Sequence, residues 1–323
     1  MPASAPPVRL DVLGLGNAIV DVVASADDRL LERLGLTKGA MHLVELDRIA
    51  ELYAAMGPAV EISGGSCANT MAALASLGAD VAYVGKVQRD QLGEVFRHDI
   101  RAVGVAFHTP PLDAGPPTAR CVVLVTPDAQ RTMATYLGAC VELGPDDVDE
   151  SRIGAARIVY LEGYLWDRPE AKAACLKAAA LAHRHGRQVA LTLSDPFCVA
   201  RWRAEFAELI AHHVDVLIAN EVEICSLYGA NALDEVIDIV RSQVKVAALT
   251  RGADGSVIVA GDQTHRLPAA PITRLVDSTG AGDLYAAGLL YGLTHDLPLA
   301  ACGRLGSLAA AHILGHYGAR ANG

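Results

Sequence analysis

A short turn at residues 277–283 (DSTGAGD) has the residue types of an anion site with an acid beside it, and the apolar helical run 284–290 follows at once. Gly280 and Gly282 carry no side-chain bulk, so N–H groups of the first helical turn can close on an anion. A phosphate would repel Asp283 unless a cation or a reacting hydroxyl lay between them, which indicates a base for phosphoryl transfer. By itself, the segment fits a turn with an N-capping Asp equally well.

Composition and charge limit the class of protein. The 323 residues suffice for one large α/β unit or for a main domain with a smaller appendage. The net charge of −10, without any basic run, argues against nucleic acid or an anionic membrane as partner. Apolar stretches end well before the roughly 18 residues of a membrane span, and the first residues do not resemble a signal peptide. We therefore expect a cytoplasmic enzyme without a transmembrane helix.

Cysteines and histidines do not indicate a metal cluster. The seven cysteines are scattered, odd in number and never spaced C-x-x-C, so they are most simply small core residues. His183, His185, His212 and His213 are placed near predicted helix ends, where exposed histidines are common. Neither a disulfide framework nor a zinc site is expected.

Apolar β-like runs alternate with helical patterns along most of the chain, which predicts a mostly parallel sheet covered by helices. The predicted strands are residues 10–15, 81–87, 158–161, 189–193, 216–219, 246–250 and 256–259. The predicted helices are residues 68–77, 92–103, 170–185, 204–212, 221–228, 233–242, 281–293 and 299–314.

Two regions break this alternation. Residues 18–25 with 40–44, and residues 106–109 with 120–126 and 132–137, have strand patterns without intervening helices and are separated by Pro- and Gly-rich turns. They predict a small β-sheet lid built from two separated pieces of chain.

Common nucleotide-binding motifs are missing. Gly14 and Gly16 follow a strand, but Ile19 stands where a dinucleotide fingerprint needs its third glycine. The sequence contains neither a P-loop nor a G-x-S-x-G elbow. A Rossmann dehydrogenase, a P-loop NTPase and an α/β-hydrolase are therefore disfavoured.

Several motifs together resemble the ribokinase and adenosine kinase (PfkB-type) family, and most closely its adenosine kinases. The likeness runs from about residue 8 to about residue 317, with the motifs in the family's order. These motifs are residues 16–21 (GNAIVD), 64–69 (GGSCAN), 192–197 (TLSDPF), 214–221 (VDVLIANE), 250–252 (TRG) and 277–283 (DSTGAGD).

The resemblance implies a three-layer α/β/α ribokinase-like fold with a central, mainly parallel sheet and a small β-sheet lid. We expect one kinase domain over residues 1–323, with a discontinuous lid at about residues 17–46 and 106–137. The resemblance makes Asp283 the catalytic base and Gly280, Ala281 and Gly282 the anion hole. A loose transition state needs no preformed alkoxide, so a carboxylate of ordinary pKa suffices.

The resemblance also implies an acceptor site that binds hydroxyl groups. Vicinal hydroxyls need a carboxylate acceptor and amide donors on closely approaching backbone. The acceptor residues by resemblance are Asn17, Asp21, Gly64, Gly65 and Asn69. Asp21 would clamp the ribose; the alternatives are a lid-turn role for Asp21 and a capping or packing role for Asn69.

ATP and Mg²⁺ are the implied cofactors. Asn220 and Glu223 match the family's N-x-x-E element, which orders magnesium through water, and a helix capping box is the alternative or an additional role. Thr250, Gly252 and Gly255 would line the ATP side, where we also place His312. The resemblance further allows a monovalent cation such as K⁺ near the backbone of residue 277.

Arg131, on the predicted lid hairpin, is a candidate phosphate contact because its guanidinium can donate to two oxygens. A solvated hairpin arginine is the alternative.

Leu43, Met133 and Tyr164 offer apolar and aromatic surface for a base, which favours adenosine over ribose or fructose as acceptor. Tyr164 could also be a core aromatic.

The sequence departs from the family pattern at Gln88, which replaces a usual glycine, and Glu162 and Asp195 add acid near the cleft. These acids could favour a cationic or polyhydroxylated acceptor.

A nucleotide-binding regulatory protein with weak or no catalysis stays open as a different class. An exposed edge of the lid sheet would suit a homodimer, and a monomer is equally compatible with the sequence.

Overall fold

The computed structural model describes residues 8–128 and 130–320. The strands are β1 Leu10–Leu15, β2 Ile19–Ser25, β3 Met41–Leu43, β4 Ala59–Gly64, β5 Val81–Val84, β6 Ala106–Phe107, β7 Ala119–Val125, β8 Arg131–Tyr136, β9 Ala156–Glu162, β10 Gln188–Thr192, β11 Val216–Asn220, β12 Val246–Thr250, β13 Ser256–Ala260 and β14 Gln263–Leu267. The helices are α1 Asp28–Arg33, α2 Leu46–Ala55, α3 Ser66–Ser76, α4 Gln91–Ala102, α5 Glu150–Ala155, α6 Pro169–Arg184, α7 Pro196–His213, α8 Glu221–Tyr228, α9 Leu233–Gln243, α10 Ala281–Thr294 and α11 Leu299–Leu314.

Nine strands form the large sheet, in the order β14-β13-β12-β11-β10-β9-β1-β5-β6. All neighbours pair in parallel except β12 with β13 and β13 with β14, which are antiparallel. Side chains of the central strands alternate between two buried clusters: Val12 and Ile158 on one face, Leu13 and Val159 on the other. Both faces are covered by helices, as expected for buried parallel strands, so the predicted three-layer fold is confirmed.

Five strands form the smaller sheet, in the order β3-β8-β7-β2-β4. One face of this sheet packs on α1 and α2 in a separate apolar cluster that includes Leu31, Ile49 and Leu124. The sheet lies against the large domain because β2 begins four residues after β1 and β4 leads directly into α3. The lid strands are therefore joined by short links to β1 and α3 of the large domain.

The lid boundaries differ from the sequence expectation of residues 17–46 and 106–137. Strand β4 pairs with β2 and belongs to the smaller sheet. Ala106–Phe107 pairs with β5 in the large sheet, because Phe107 packs on Phe96 with ring centroids 5.4 Å apart. Helix α1 also interrupts the first lid segment, where Asp27 caps it by accepting from the N–H of Leu30 at 2.8 Å.

Among the described residues, no helix combines the length and the apolar character that crossing a membrane requires. Over the same ranges, no group of three or more His, Cys, Asp or Glu side chains is arranged to hold a metal ion. All seven cysteines are free thiols, and only Cys225 is not fully buried.

Candidate active site

The turn before α10 has the shape that an anion site requires. Gly280 is the N-cap of α10 and has φ 78°, in the left-handed region that favours glycine. A Cβ there would lie 2.7 Å from the Cα of Ala319, so this position is closed to larger residues. Ala281 begins the helix, and Gly282 and Asp283 follow in its first turn, facing a cleft. The N–H groups of this first turn therefore lie beside the Asp283 carboxylate, and that of Ala281 donates to the carbonyl of Ser278 at 3.3 Å.

Two side chains at the start of α3 hold the Asp283 carboxylate. The hydroxyl of Ser66 donates to Oδ1 at 2.6 Å, and Nδ2 of Asn69 donates to Oδ2 at 3.1 Å. The hydroxyl of Thr70 donates to the backbone carbonyl of Asp283 at 3.2 Å. Burial raises the pKa of Asp283, while the hydrogen bonds from Ser66 and Asn69 act in the opposite direction.

Ser66 was not singled out by the sequence reasoning, although it lies inside the GGSCAN motif. The signal that could have identified it is its place in the first turn of a glycine-led helix beside Asn69. The partner of its hydroxyl could not be foreseen, because the contact forms only when α10 packs on α3. Ser66 and Asp283 are 217 positions apart in the chain.

Asp21 lies on β2 beside Gly64 of β4, and the two strands pair here. A Cβ on Gly64 would lie 2.5 Å from Oδ2 of Asp21, so only glycine lets the carboxylate occupy this position. Burial raises the pKa of Asp21 to about 6, and the charges of Arg131 and Arg320 oppose that shift. Asp21 is therefore a carboxylate that changes charge close to neutral pH.

Glu162, at the end of β9, is 1% exposed and lines the cleft. It accepts from Nδ2 of Asn17 at 3.0 Å and from the backbone N–H of Cys67 at 2.9 Å. Burial raises the pKa of Glu162 to about 7, against these hydrogen bonds. Glu162 thus fixes the side chain of Asn17 and the start of α3, whereas sequence reasoning treated it only as additional acid.

The cleft has a volume of about 680 Å³ between the lid sheet and the large sheet. Its polar lining residues include Asn17, Asn69, Asp283, Glu162, Asp167, Asp195 and Arg201, and apolar side chains line the same cleft. The apolar and aromatic side chains that line it include Ile19, Met41, Leu43, Met133, Leu137, Val141, Tyr164, Leu165 and Phe197.

Lid and core both contribute apolar side chains to the cleft. Leu43 and Met133 come from β3 and β8 of the lid, and Leu43 is 58% exposed. Tyr164 follows β9, and its backbone N–H donates to Oγ of Ser194 at 3.2 Å. Ser194 has φ 75°, a strained conformation for a residue other than glycine. Phe197, 78% exposed at the cleft, was not singled out from the sequence because exposure follows only from packing.

Asn220 and Glu223 form a complete capping box at the start of α8. Oδ1 of Asn220 accepts from the Glu223 N–H at 2.8 Å, and Oε2 of Glu223 accepts from the Asn220 N–H at 2.9 Å. Burial raises the pKa of Glu223 to about 7. Both residues line the same cleft as Asp283 and Thr250. Two fixed oxygen ligands in a cleft fit Mg²⁺ that keeps most of its waters.

Arg131 and Asp277 form a buried ion pair between the lid and the turn before α10, with Nη1 3.0 Å from Oδ2. Asp277 also accepts from the backbone N–H groups of Thr279 and Gly318, each at 2.9 Å. Arg131 is thus not a solvated hairpin residue. One further donor, its Nε, is buried without a hydrogen-bond partner in the described part of the chain.

Eight residues of the predicted site are not among those that line the cleft between lid and core: Asp21, Gly64, Gly65, Arg131, Gly252, Gly255, Ala281 and His312. Gly252 is exposed in a short turn, and Gly255 is buried against the backbone after β14. His312 lies exposed on α11 with its ring 4.7 Å from that of His316. Ala281 is the first residue of α10, directly after the Gly280 cap.

Gln88 also lies away from the cleft. Its Nε2 donates to the carbonyl of Gly115 at 3.0 Å, and its backbone N–H donates to Thr118 Oγ1 at 3.0 Å. The side chain fastens its loop to the segment before β7. The departure from the family's glycine therefore does not place a side chain in the acceptor space.

The three-layer fold, the lid and the carboxylate beside a helix N-terminus define a kinase that phosphorylates a hydroxyl group. The profile of a family described as pfkB family carbohydrate kinase matches residues 41–322, and the chain belongs to this family. The crystal structure of adenosine kinase from Sinorhizobium meliloti is 51% identical, with a TM-score of 0.91 and coverage of 98% of this chain and 97% of that one.

Two further relatives differ in their names. The crystal structure of a probable sugar kinase protein from Rhizobium etli CFN 42 is 48% identical, with a TM-score of 0.91, over 98% of this chain and 96% of that one. Adenosine kinase from Saccharomyces cerevisiae is 27% identical over 87% of both chains. The chain is thus similar to proteins named as nucleoside kinases and as a sugar kinase.

Proposed function

We propose that this protein is an ATP-dependent adenosine kinase, which transfers the γ-phosphoryl group of ATP to the 5′-hydroxyl of adenosine. The observation that carries the proposal is the cleft itself: Asp283, held by Ser66 and Asn69, lines a space that apolar and aromatic side chains of lid and core also line. A nucleoside likewise combines a hydroxylated sugar with a flat base.

Asp21 and Asn69 would bind the sugar hydroxyls, with Asn17, Gly64 and Gly65 completing the acceptor site. The base would lie between Leu43 and Met133 of the lid and Tyr164 of the core. This placement leaves the 5′-oxygen toward Asp283 and the N–H groups of residues 280–282.

In the reaction, the 5′-oxygen forms a bond to the γ-phosphorus while the bond from that phosphorus to the β-γ bridging oxygen breaks. The hydroxyl proton passes to Asp283, and ADP keeps the bridging oxygen. The N–H groups of Gly280, Ala281 and Gly282 would stabilise the charge of the transferring group, and Arg131 would contact it from the lid.

Asn220 and Glu223 would hold Mg²⁺ through water, and Mg²⁺ would neutralise phosphate charge. Thr250, Gly252 and Gly255 would line the ATP side, with His312 near the base. Since Gly255 is buried, its contribution would be to shape the turn that Gly252 presents. K⁺ near residue 277, a monomeric or homodimeric state and a cytoplasmic location remain parts of the proposal, and the free thiols support a reducing compartment.

A sugar kinase acting on ribose, fructose or a related compound is the second candidate. The 48% identity to a probable sugar kinase favours it, as do the polar cleft residues Asp167, Asp195 and Arg201. A regulatory nucleotide-binding protein is a third, of a different class, and the intact Asp283 turn argues against it.

The decisive experiment is turnover of the purified protein with magnesium-ATP and a panel of adenosine, inosine, ribose, fructose and tagatose, with the product mass measured. Selective formation of AMP is expected. A sugar phosphate as the only product would reject the base site of Leu43, Met133 and Tyr164 but keep Asp283. No turnover with any acceptor would favour the regulatory protein.

A further inference from the structure

The last described residues of the chain contact the active site at three consecutive positions. We name residues 318–320 the closing segment. The N–H of Gly318 donates to Oδ2 of Asp277 at 2.9 Å. Ala319 packs against Gly280, and Arg320 points beneath the lid toward Asn69.

Arg320 is held by groups from three elements. Its Nη1 lies 3.2 Å from Oδ2 of Asp99 on α4 and donates to Ser63 Oγ on β4. Its Nε donates to Oδ1 of Asn69 on α3 at 3.4 Å. The backbone N–H of Ser63 donates to the same Asp99 oxygen at 2.8 Å. The carboxylate that pairs with the guanidinium is therefore itself held in place.

The contact with Asn69 extends to Asp283. An asparagine amide has one acceptor and one donor end, and a donor at Oδ1 fixes which way it faces. With Arg320 at Oδ1, Nδ2 of Asn69 is directed at Oδ2 of Asp283, 3.1 Å away. The chain of contacts runs from Arg320 through Asn69 to Asp283.

The charge of Arg320 lies among several ionisable groups of the site. The groups that face it are Asp99 of α4, Asp21 of β2, Asp283 of α10 and Tyr83 of β5. The charge of Asp283 raises the pKa of Asp21, and the charge of Arg320 lowers the pKa of both carboxyl groups. Its Nη2 is buried without a hydrogen-bond partner in the described chain, which leaves capacity for one more acceptor.

We propose that Arg320 is a positioning residue of the phosphoryl-transfer site, which orients Asn69 and serves as the shared counter-ion of Asp21 and Asp283. This inference rests on the proposed kinase function, and Arg320 itself lies outside the motifs that carry the family resemblance. It assigns a catalytic requirement to the closing segment of the chain.

The test compares wild type with Arg320→Ala and Arg320→Lys, using Arg304→Ala as the matched control because Arg304 is exposed on α11. We expect Arg320→Ala to lower kcat about 10- to 100-fold, since a slightly misplaced reacting group has an effect of that size. The KM for ATP should stay within about twofold, and Arg304→Ala should match wild type.

Two readouts separate positioning from a purely structural role. The acidic limb of the kcat profile should shift to higher pH in Arg320→Ala, because Asp21 and Asp283 lose their counter-ion. Millimolar guanidinium should restore part of the activity of Arg320→Ala but not of Arg304→Ala or wild type. The kcat of Arg320→Lys should lie between those of wild type and Arg320→Ala, since lysine keeps the charge without the forked contacts.

A loss of activity with an unshifted pH profile and without rescue by guanidinium would overturn the inference, as would full activity of Arg320→Ala. If wild type phosphorylates a sugar and not adenosine, the proposed acceptor fails, while the same comparison on that sugar still tests Arg320. If the wild-type protein neither phosphorylates any acceptor nor is thermally stabilised by one, that result would contradict both the proposed function and the role of Arg320.

Discussion

Arg131 of the lid and Asp277 of the turn before α10, 146 positions apart, are joined by a buried ion pair of 3.0 Å. The pair connects the sheet that would cover the acceptor to the turn that would bind the phosphate. Asp277 keeps two backbone donors of its own, so the arginine adds a tether between the two parts as well as a charge.

Replacing Arg131 with Gln should destabilise the protein by about 3 kcal/mol, because the buried Asp277 carboxylate loses its cation. Urea unfolding measures this change. Arg29→Gln, on the exposed side of α1, is the matched control and should change stability little. In a double-mutant cycle with Asp277→Asn, coupling below about 0.5 kcal/mol would argue against the tether.

Asp283→Asn should lower kcat about 10²- to 10⁴-fold, since the amide cannot accept the hydroxyl proton. ATP binding, measured by calorimetry, should persist because the N–H groups of the turn are unchanged. Asp262→Asn, at an exposed position after β13, is the control. Retained turnover in Asp283→Asn would reject the assigned base.

Gly64→Ala should raise the KM for the acceptor roughly tenfold or more, because the new Cβ would displace the Asp21 carboxylate. The KM for ATP should not change. Gly57→Ala provides the control, since nothing lies within 4 Å of its added Cβ. Equal acceptor KM values for the two variants would show that Asp21 does not bind the acceptor.

Acceptor binding should weaken as pH falls through about 6. Burial holds the pKa of Asp21 at that value, and the protonated carboxyl can no longer accept from two hydroxyls. The groups around it are Arg131, Arg320 and Asp283. The acceptor KM, measured from pH 5 to 8, should rise as pH falls through about 6. In Asp21→Asn, the acceptor KM should be high over the whole range. If the acceptor KM of Asp21→Asn depended on pH in the same way as that of wild type, another group would cause the rise at low pH.

Glu162 should make the free energy of unfolding depend on pH. Its pKa in the folded protein is about 7, above the ordinary value of 4.5, so the folded state keeps a proton that the unfolded chain has already released. Its contribution is fully present below pH 4.5 and is lost as pH rises through about 7. The full difference corresponds to roughly 3 kcal/mol. Urea unfolding of Glu162→Gln from pH 5 to 8 should show a weaker decline than wild type; equal slopes would refute this.

Local sequence patterns predicted much of the fold correctly. Strands β1 and β12 and helices α8 and α11 occur at the predicted residues, because apolar periodicity and caps are local properties. The three-layer arrangement and the kinase class are confirmed. Strand pairing was less predictable: β4 joined the lid and β6 the large sheet, since the neighbour of a strand depends on distant packing.

The sequence by itself determined the motifs that mark this chain as a pfkB family kinase, because glycine turns and capping carboxylates are encoded within a few residues. The roles assigned to the individual site residues stay predictions. Only the tertiary structure decided that Ser66 and Asn69 hold Asp283, that Arg131 pairs with Asp277, and that Arg320 reaches Asn69. These contacts join residues separated by 146 to 251 positions, and such pairs meet only when the sheets and helices between them have packed.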